Sequence, residues 1–446
     1  MAFVAQSFNV GDILTASNMN TMDANIDIVR TQHKGPSAPV ELAAGVLWLE
    51  DDNPSATVWT WQLYDGADQI KIGEFDSTNN KFTVAGIEGY YAKNLIINGG
   101  MQVAQRGNQT GQGASNAYTA CDRYHFKVAG SASARWTTSQ ETGGGVNGES
   151  NWLKVLNTTS DDSPGATEAQ AIYQKIETAN MQKFIAADGS LAAVSVGIDM
   201  VFHADGASSI SSPATITLPI RTQVTAGSAH YYMGEVTIAA ADTWERVTIN
   251  IAANVSAAFD RAMNSDSLWI GVGLYSGSTP KTPANAWTSG TNFFQTDDSD
   301  NLADATDNYI GFTLHQAELG ATATPFEHEP ISVTHAKCLR YYEKWINDQY
   351  WTMGIAHAGA ANFGEFVAWF TEKRAAPTIT VADINDHSIN HAGGNVACTA
   401  FNAYYVDTTS SLLRFTIGSS PMTVDQCVDI RQDNINVGEV YFDSEL

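Results

Sequence analysis

Five runs in the middle of this chain decide what it is able to fold into. They are LAAVSVGIDMVFHAD (191–205), ATITLPIRTQV (214–224), ERVTINIAANV (245–255), SLWIGVGLYSG (267–277) and NYIGFTLHQAE (308–318). Each is short, rich in β-branched and aromatic residues, and bounded by Ser, Gly and Asp stretches, which is how strands and their turns are written. In the last run Ile310, Phe312 and Leu314 alternate with Gly311, Thr313 and His315, the period of a strand with one face buried. Many short strands, with no helix signal beyond a turn near Glu177 to Phe184, predict a two-sheet sandwich rather than a helical bundle. The fold class is mainly β.

The stretch after Leu314 is the joint of the chain. Glu318-Leu319-Gly320 reads as a turn, and Pro325 biases Thr324 towards extended backbone. After Pro330 the pattern changes to helix. Thr334 is placed as its N-cap, with Cys338, Tyr341 or Tyr342, and Trp345 falling on one face. A sheet closes here and a second module opens. In that module FGEFVAWFTEKR alternates Phe366, Ala368 and Phe370, and RAAPTITVADI, ACTAFNAYYVD and LLRFTIGSS read as further strands. The tail INVGEVYFDSEL is expected to be a closing edge strand.

The chain of 446 residues exceeds one domain. Residues 1–35 form the first segment, where Met19, Met22, Ile26 and Val29 recur at three, four and three, a short helical seam suited to oligomerisation. Residues 36–93 form a small β module, with two strand runs around an acidic turn and a hairpin at Asp65-Gly66. Its Trp48, Trp59, Trp61 and Tyr64 are read as core. Residues 94–335 hold the sandwich, and residues 336–446 a C-terminal α+β cap.

Three motifs in order resemble tailed-phage fibres and spikes. One is FTLHQAELGATATPFEHE followed by CLRYYEKW, similar to the strand-and-helix joint of such fibres. Another is NLIINGGMQVAQRG (94–107) with CDRYHF (121–126), which resembles the opening of a carbohydrate-binding-like jelly roll. The third is KRAAPTITV (373–381), similar to a strand of those fibres with Lys373 in place of Met. A repeat-like pattern around LWLE and LYDG in residues 40–93 also resembles a small phage-fibre module. The resemblance implies a jelly-roll sandwich, a virion fibre or spike subunit of a phage or gene transfer agent, a homotrimer, and attachment to a capsid or tail protein. It implies assembly in a bacterial host cytoplasm and work outside the cell.

Charge narrows the partners. The formal net charge is −25, and charged residues make up only 16% of the chain. Such a surface repels nucleic-acid phosphates and anionic lipids, so neither nucleic-acid binding nor membrane insertion is expected. An acidic polysaccharide would need local basic groups or a bridging cation. The N-terminus carries no basic, apolar signal-peptide pattern, and no apolar run reaches transmembrane length. Cys121, Cys338, Cys398 and Cys427 have no metal spacing and are expected to be reduced core thiols.

The search for chemistry finds no P-loop, no GxSxG elbow and no HExxH motif. His387 and His391 fall in DINDHSINHAGG, a loop by composition, with a weak claim to be a metal pair. No catalytic residue is assigned, and no cofactor is expected beyond Ca²⁺. The candidate carbohydrate-binding residues are Trp287, Asn285, Asn292, Phe293, Gln295 and Trp351: aromatic faces for sugar C–H surfaces beside amides for hydroxyls. The first five sit in the long 282–308 segment, expected to be an exposed loop. Asp297, Asp298 and Asp300 are the candidate calcium ligands. The SQETGGGVNGESN stretch (139–151) is expected to be a second long loop. The expected role is adhesion to host-surface polysaccharide; the alternatives are a depolymerase spike or a structural fibre base for a separate adhesin.

Overall fold

The computed structural model describes residues 93–148, 150–185, 190–222, 229–254, 266–290, 293–320, 322–345, 350–357, 362–392, 394–418, 422–423, 425–432 and 439–446, and before these only strand segments. The chain divides into two compact units, Met1–Lys93 and Asn94–Leu446.

In the first unit, Leu47–Glu50, Val58–Tyr64, Gln69–Asp76 and Lys81–Val84 pair antiparallel in sequence order, with Lys34–Gly35 parallel to the first of them. The expected hairpin at Asp65-Gly66 joins the second of these strands to the third. Met19, Met22, Ile26 and Val29 lie outside the described residues, as do the side chains of Trp48, Trp59, Trp61 and Tyr64.

The second unit opens with the sandwich. One sheet has six strands, in the order Glu245–Ile251, Val194–His203, Tyr309–Leu319, Ser150–Thr159, Arg135–Gly144, Gln109–Gln112. The other has seven, in the order Trp287–Gly290, Ala229–Ile238, Ala214–Thr222, Asp266–Ser276, Ala169–Glu177, Tyr124–Ala129, Ala117–Tyr118. Their inner faces share one core, and all five expected strands lie in these sheets. Tyr124 of one sheet meets Phe312 of the other edge to face, 5.6 Å between ring centroids. The buried Trp136 indole donates across the layer to Gln170 Oε1 at 2.5 Å, satisfying a polar group that burial would otherwise penalise.

The alternation expected in the strand Tyr309–Leu319 holds only for its first half. Ile310 and Phe312 face the core, but Leu314 adopts a left-handed backbone (φ 47°) and the register against Val194–His203 slips there. The phase reverses, so Ala317 joins the core beyond it, while Gln316 and Glu318 on the other side are buried as well. The expected 139–151 loop is mostly a hairpin: its two strands run to Gly144 and from Ser150.

The joint also differs from expectation. The helix spans Ile331–Leu339 with Pro330 at its N-cap, and Thr334 lies inside it, its hydroxyl donating to Glu329 Oε2 at 3.1 Å. Tyr342–Trp345 is a strand, because it pairs with Val440–Asp443, a tertiary partner that local periodicity does not reveal. That tail strand is central rather than at an edge, with Thr378–Val381 on its other side.

Beyond the joint, Tyr350–His357, Asn362–Trp369, Ser410–Ile417, Gly394–Tyr404, His387–His391 and Cys427–Gln432 close into a barrel around Ile389, Leu413, Phe415, Val428 and Ile430. His387 and His391 therefore lie on a strand rather than a loop, and both are buried. The barrel's outside is less covered. Trp369 is 72% and Met353 70% exposed, with Ile355 and Val367 on the same two strands.

Polar groups weld the tail to the sandwich. Glu177, buried, accepts from Arg340 Nη2 at 2.8 Å and from the Tyr341 hydroxyl at 2.7 Å. Arg123 pairs with Glu445 and lies over the Tyr341 ring, 3.5 Å from its centroid. Lys373, buried where the fibre motif has Met, donates to Glu343 Oε2 at 2.6 Å.

Candidate functional site

Alternation in the seven-stranded sheet sends Tyr232, Ile220, Ile270, Ile172 and Phe126 into the core. Their neighbours therefore face outward. Across four adjacent strands the outward residues Tyr231, Arg221, Trp269 and Lys175 stand in register. One step along the strands, Gly271, Tyr173, His125 and Tyr118 continue the row to the far edge. From the Tyr231 strand to the Tyr118 strand are five spacings of about 4.8 Å, roughly 24 Å in all, room for several sugar rings.

The rings of this row touch. Tyr173 meets Trp269 at 5.6 Å, His125 meets Trp269 at 6.4 Å, and Tyr118 meets His125 at 5.1 Å, all edge to face. Cations lie over them: Arg221 is 4.2 Å and Lys175 4.8 Å from the Trp269 centroid. Trp269 is 8% exposed, so solvent meets the cations more than the indole beneath.

The face is bordered on two sides. Gly273 has no side chain, and a Cβ there would stand 2.9 Å from the Phe294 carbonyl oxygen, so its absence lets the 293–296 segment cross the sheet. Phe294 packs with Tyr173, Trp269, Ala169 and Ala171, and Phe293 meets Tyr231 edge to face at 5.4 Å. At the other side the Tyr118 hydroxyl donates to the backbone oxygen of Leu446 at 2.9 Å, and Lys175 donates to the same oxygen.

Electrostatically the face is a local inversion of an acidic protein. Burial pushes the Lys127 ammonium down, and the nearby Arg221 charge adds to that push. Burial, then Lys175 and Lys127, pushes His125 down to about 3, so its imidazole is neutral at physiological pH. Two carboxylates of this sheet are engaged elsewhere. Glu235 accepts from the Thr296 hydroxyl at 2.8 Å, and Glu177 binds Arg340 and Tyr341.

Of the residues singled out in the sequence, Phe293 and Gln295 lie in the segment that crosses this face. Trp287 is not on an exposed loop. It lies in the edge strand Trp287–Gly290, opposite Tyr232, half-buried against the core, with its indole donating to the Ala252 carbonyl at 2.8 Å. The four residues are too few for a strand period to be legible. Asn285 is exposed in a left-handed turn, and its amide oxygen accepts from Glu235 N at 3.4 Å. Gln295 is buried, accepting from the Ser276 hydroxyl and donating to the Asp300 carbonyl. Asn292 and the Trp351 side chain lie outside the described residues.

The acidic run is stapled rather than open. Asp300 accepts from the Thr215 amide at 2.7 Å, while Asp304 accepts from Ser208, Ser209 and Asn308. Asp297 and Asp298 are exposed. Among the described residues no cluster of three or more His, Cys, Asp or Glu is placed to hold a metal. Among them too, no helix is long and apolar enough to cross a membrane.

No family model matches the chain, and no curated protein matches it. Several solved structures are similar in part. A family 11 carbohydrate-binding module from Clostridium thermocellum, in complex with a β-1,3-1,4-mixed-linked tetrasaccharide, is 12% identical with TM-score 0.24, covering 49% of this chain and 98% of its own. The CBM22 tandem domain from Paenibacillus barcinonensis Xyn10C is 8% identical with TM-score 0.25, covering 79% and 96%. The baseplate tripod of bacteriophage Tuc2009 is 12% identical with TM-score 0.19, covering 74% and 91%. Likeness at these TM-scores carries no argument about ligand or role, which must come from the residues themselves.

Proposed function

We propose that this chain is a non-catalytic adhesion subunit whose sandwich binds a host-surface glycan on the outer face of its seven-stranded sheet. The observation that carries the reading is the row Tyr231, Arg221, Trp269, Lys175, continued by Tyr173, His125 and Tyr118: cations and hydrogen-bond donors laid over mostly covered rings, with Tyr118 and the neighbouring Phe293 as the part-exposed aromatic surface. Sugars need that combination, apolar faces for their C–H surfaces and polar groups for their hydroxyls. The phage-fibre motifs at 94–126, 308–345 and 373–381 support a virion fibre or spike as its setting, with a capsid or tail protein as its anchor.

A glycan array with the full chain tests this. Trp269→Ala should weaken binding by about tenfold or more, as for an aromatic hot spot, and because the indole is packed against Tyr173 and Phe294 its binding is read below a lowered melting temperature. Trp287→Ala, on the opposite side of the sheet, serves as the comparison: retention there and loss with Trp269→Ala supports the outer face, and the reverse supports the 282–308 segment. Running the array with and without chelator tests the calcium expectation at Asp297, Asp298 and Asp300 in the same assay. Release of oligosaccharides from host polysaccharide would favour the depolymerase reading instead.

Self-association is a second reading, favoured by one observation. Met353, Ile355, Val367 and Trp369 form an exposed apolar strip on neighbouring barrel strands, a surface that a further subunit would cover.

A further inference from the structure

We propose that the glycan taken by the outer sheet face is an acidic one, a polysaccharide bearing carboxylates, with Arg221 and Lys127 as the groups that read its charge. This rests on the glycan-face reading and goes further in naming the ligand class.

In a chain with 48 acidic and 23 basic residues, carboxylates outnumber the cations they could pair with. Among the described residues Arg106, Arg123, Arg246, Arg340, Arg414 and Arg431 each meet one. Arg221 meets none and makes no hydrogen bond to any described residue, although its Nε is buried. An unbonded guanidinium nitrogen out of water is costly unless a ligand supplies the acceptor. The guanidinium is nevertheless held in place, lying 4.2 Å from the centroid of Trp269 and 6.0 Å from that of Tyr231. A planar fork fixed on rings, with its donors unused, suits the two oxygens of a carboxylate.

Lys127 is the second such group. It is half-buried on the same face, has no acidic or hydrogen-bonded partner among the described residues, and lies within the field of Arg221. Two cations that repel each other and share no counter-charge among the described residues form a site that an anion would complete. His125, 6% exposed between Tyr118 and Trp269, adds a buried Nδ1 with no partner among the described residues. Glu177 and Glu235, carboxylates of this sheet whose side chains are described, are bound elsewhere. The overall charge of −25 sets the range of the effect: a polyanion is repelled at a distance and attracted only at this face, so binding should tighten when moderate salt screens the long-range term.

The test measures binding of the full chain to polygalacturonate, to the same polymer with its carboxyls reduced to alcohols, and to a sulfated neutral polymer. Each is run with wild type, Arg221→Gln, Lys127→Gln and Trp269→Ala, the first two variants checked for unchanged melting and Trp269→Ala measured below its own lowered melting temperature. The expected result is binding to polygalacturonate that falls about tenfold or more on carboxyl reduction, on Arg221→Gln and on Lys127→Gln, the loss of a charge-assisted contact. If wild type and Arg221→Gln bind the reduced polymer as well as polygalacturonate, and Trp269→Ala binds neither, the acidic-ligand inference is overturned while the glycan face stands. Preference for the sulfated polymer overturns the choice of carboxylate. Binding that all three variants retain, or no binding of wild type to polygalacturonate, overturns the inference as well, and retention by Trp269→Ala also removes the glycan face.

Discussion

Arg221 lies over Trp269, 4.2 Å from its ring centroid, in a register that pairs the two residues directly across neighbouring strands. The pair joins a ring to a charge that no described carboxylate neutralises, and it stands within the aromatic row on the outer face of the seven-stranded sheet. The proposed adhesion site is built outward from it. Four properties of the surrounding structure are open to direct measurement.

Glu177 fastens the joint to the sandwich. It is buried and accepts a two-point bond from Arg340, at 2.8 and 3.2 Å, as well as the Tyr341 hydroxyl. Glu177→Gln keeps the shape but removes the charge and turns an acceptor into a donor. The expected loss is about 1–3 kcal/mol, the scale of a buried group left unsatisfied. Denaturant unfolding checks it; an unchanged midpoint would mean the joint is held by packing alone.

Acid should weaken the sandwich before it protonates ordinary carboxylates. Burial, with Arg246 adding to it, pushes His315 down to about 3, and burial with Lys175 and Lys127 does the same for His125. In the unfolded chain an imidazole titrates near 6.5. Between about pH 6.5 and pH 3 the unfolded chain therefore binds protons that the folded chain refuses, so stability present above 6.5 is lost as pH falls, by up to about 1.4 kcal/mol per pH unit for each histidine. Melting followed across that window should show the decline, and His315→Gln should make it shallower. A flat profile in wild type would contradict the burial of both rings.

The cysteines are free, as their spacing led one to expect, but they are not all core thiols. Cys121, Cys338 and Cys398 are buried, whereas Cys427 is exposed on the barrel, its Sγ 3.7 Å from Met353 Sδ. One thiol should react promptly with a thiol reagent in the native protein and three more only on unfolding. Cys427→Ser should abolish the prompt reaction. Two prompt thiols, or a linked pair by mass, would contradict the structure.

The apolar strip on the barrel should drive association. Trp369→Ser together with Ile355→Ser, both exposed, should leave melting within about 0.5 kcal/mol of wild type, as surface changes usually do. Mass measurement at micromolar concentration should show wild type larger than one chain and the variant shifted to monomer. A wild type that stays monomeric would mean the strip serves another partner.

How much of this was legible in the sequence follows from how local each signal is. The sandwich strands announced themselves because alternation is written within a few residues, as in Val194–His203 and Ala214–Thr222. The end of the helix at Leu339 did not, since Tyr342–Trp345 becomes a strand only by meeting Val440–Asp443 about a hundred residues away. Leu314 hid a change of phase, because one left-handed residue reverses every side chain after it. The candidate site was the least legible. Tyr118, His125, Tyr173, Arg221, Tyr231 and Trp269 come from six strands, and only their pairing puts them on one face. A signal was present: in AQAIYQKIE, Tyr173 and Lys175 alternate with the apolar Ile172 and Ile176, marking an outward side that carries an aromatic and a cation. Trp287 drew attention instead because an isolated tryptophan among Pro, Gly and Ser looks unanchored, while its anchors, Tyr232 and the Ala252 carbonyl, are distant in sequence.

The central claim, that the outer face of the seven-stranded sheet is where a glycan binds, is tested most directly by hydroxyl-radical footprinting of the full chain with and without a glycan it binds. The account predicts protection at Tyr118 and Phe293, the part-exposed rings of this face, with Met353 and Trp369 on the barrel unchanged. Protection confined to the barrel strip, or to Trp287 with Tyr118 and Phe293 unaffected, would contradict it.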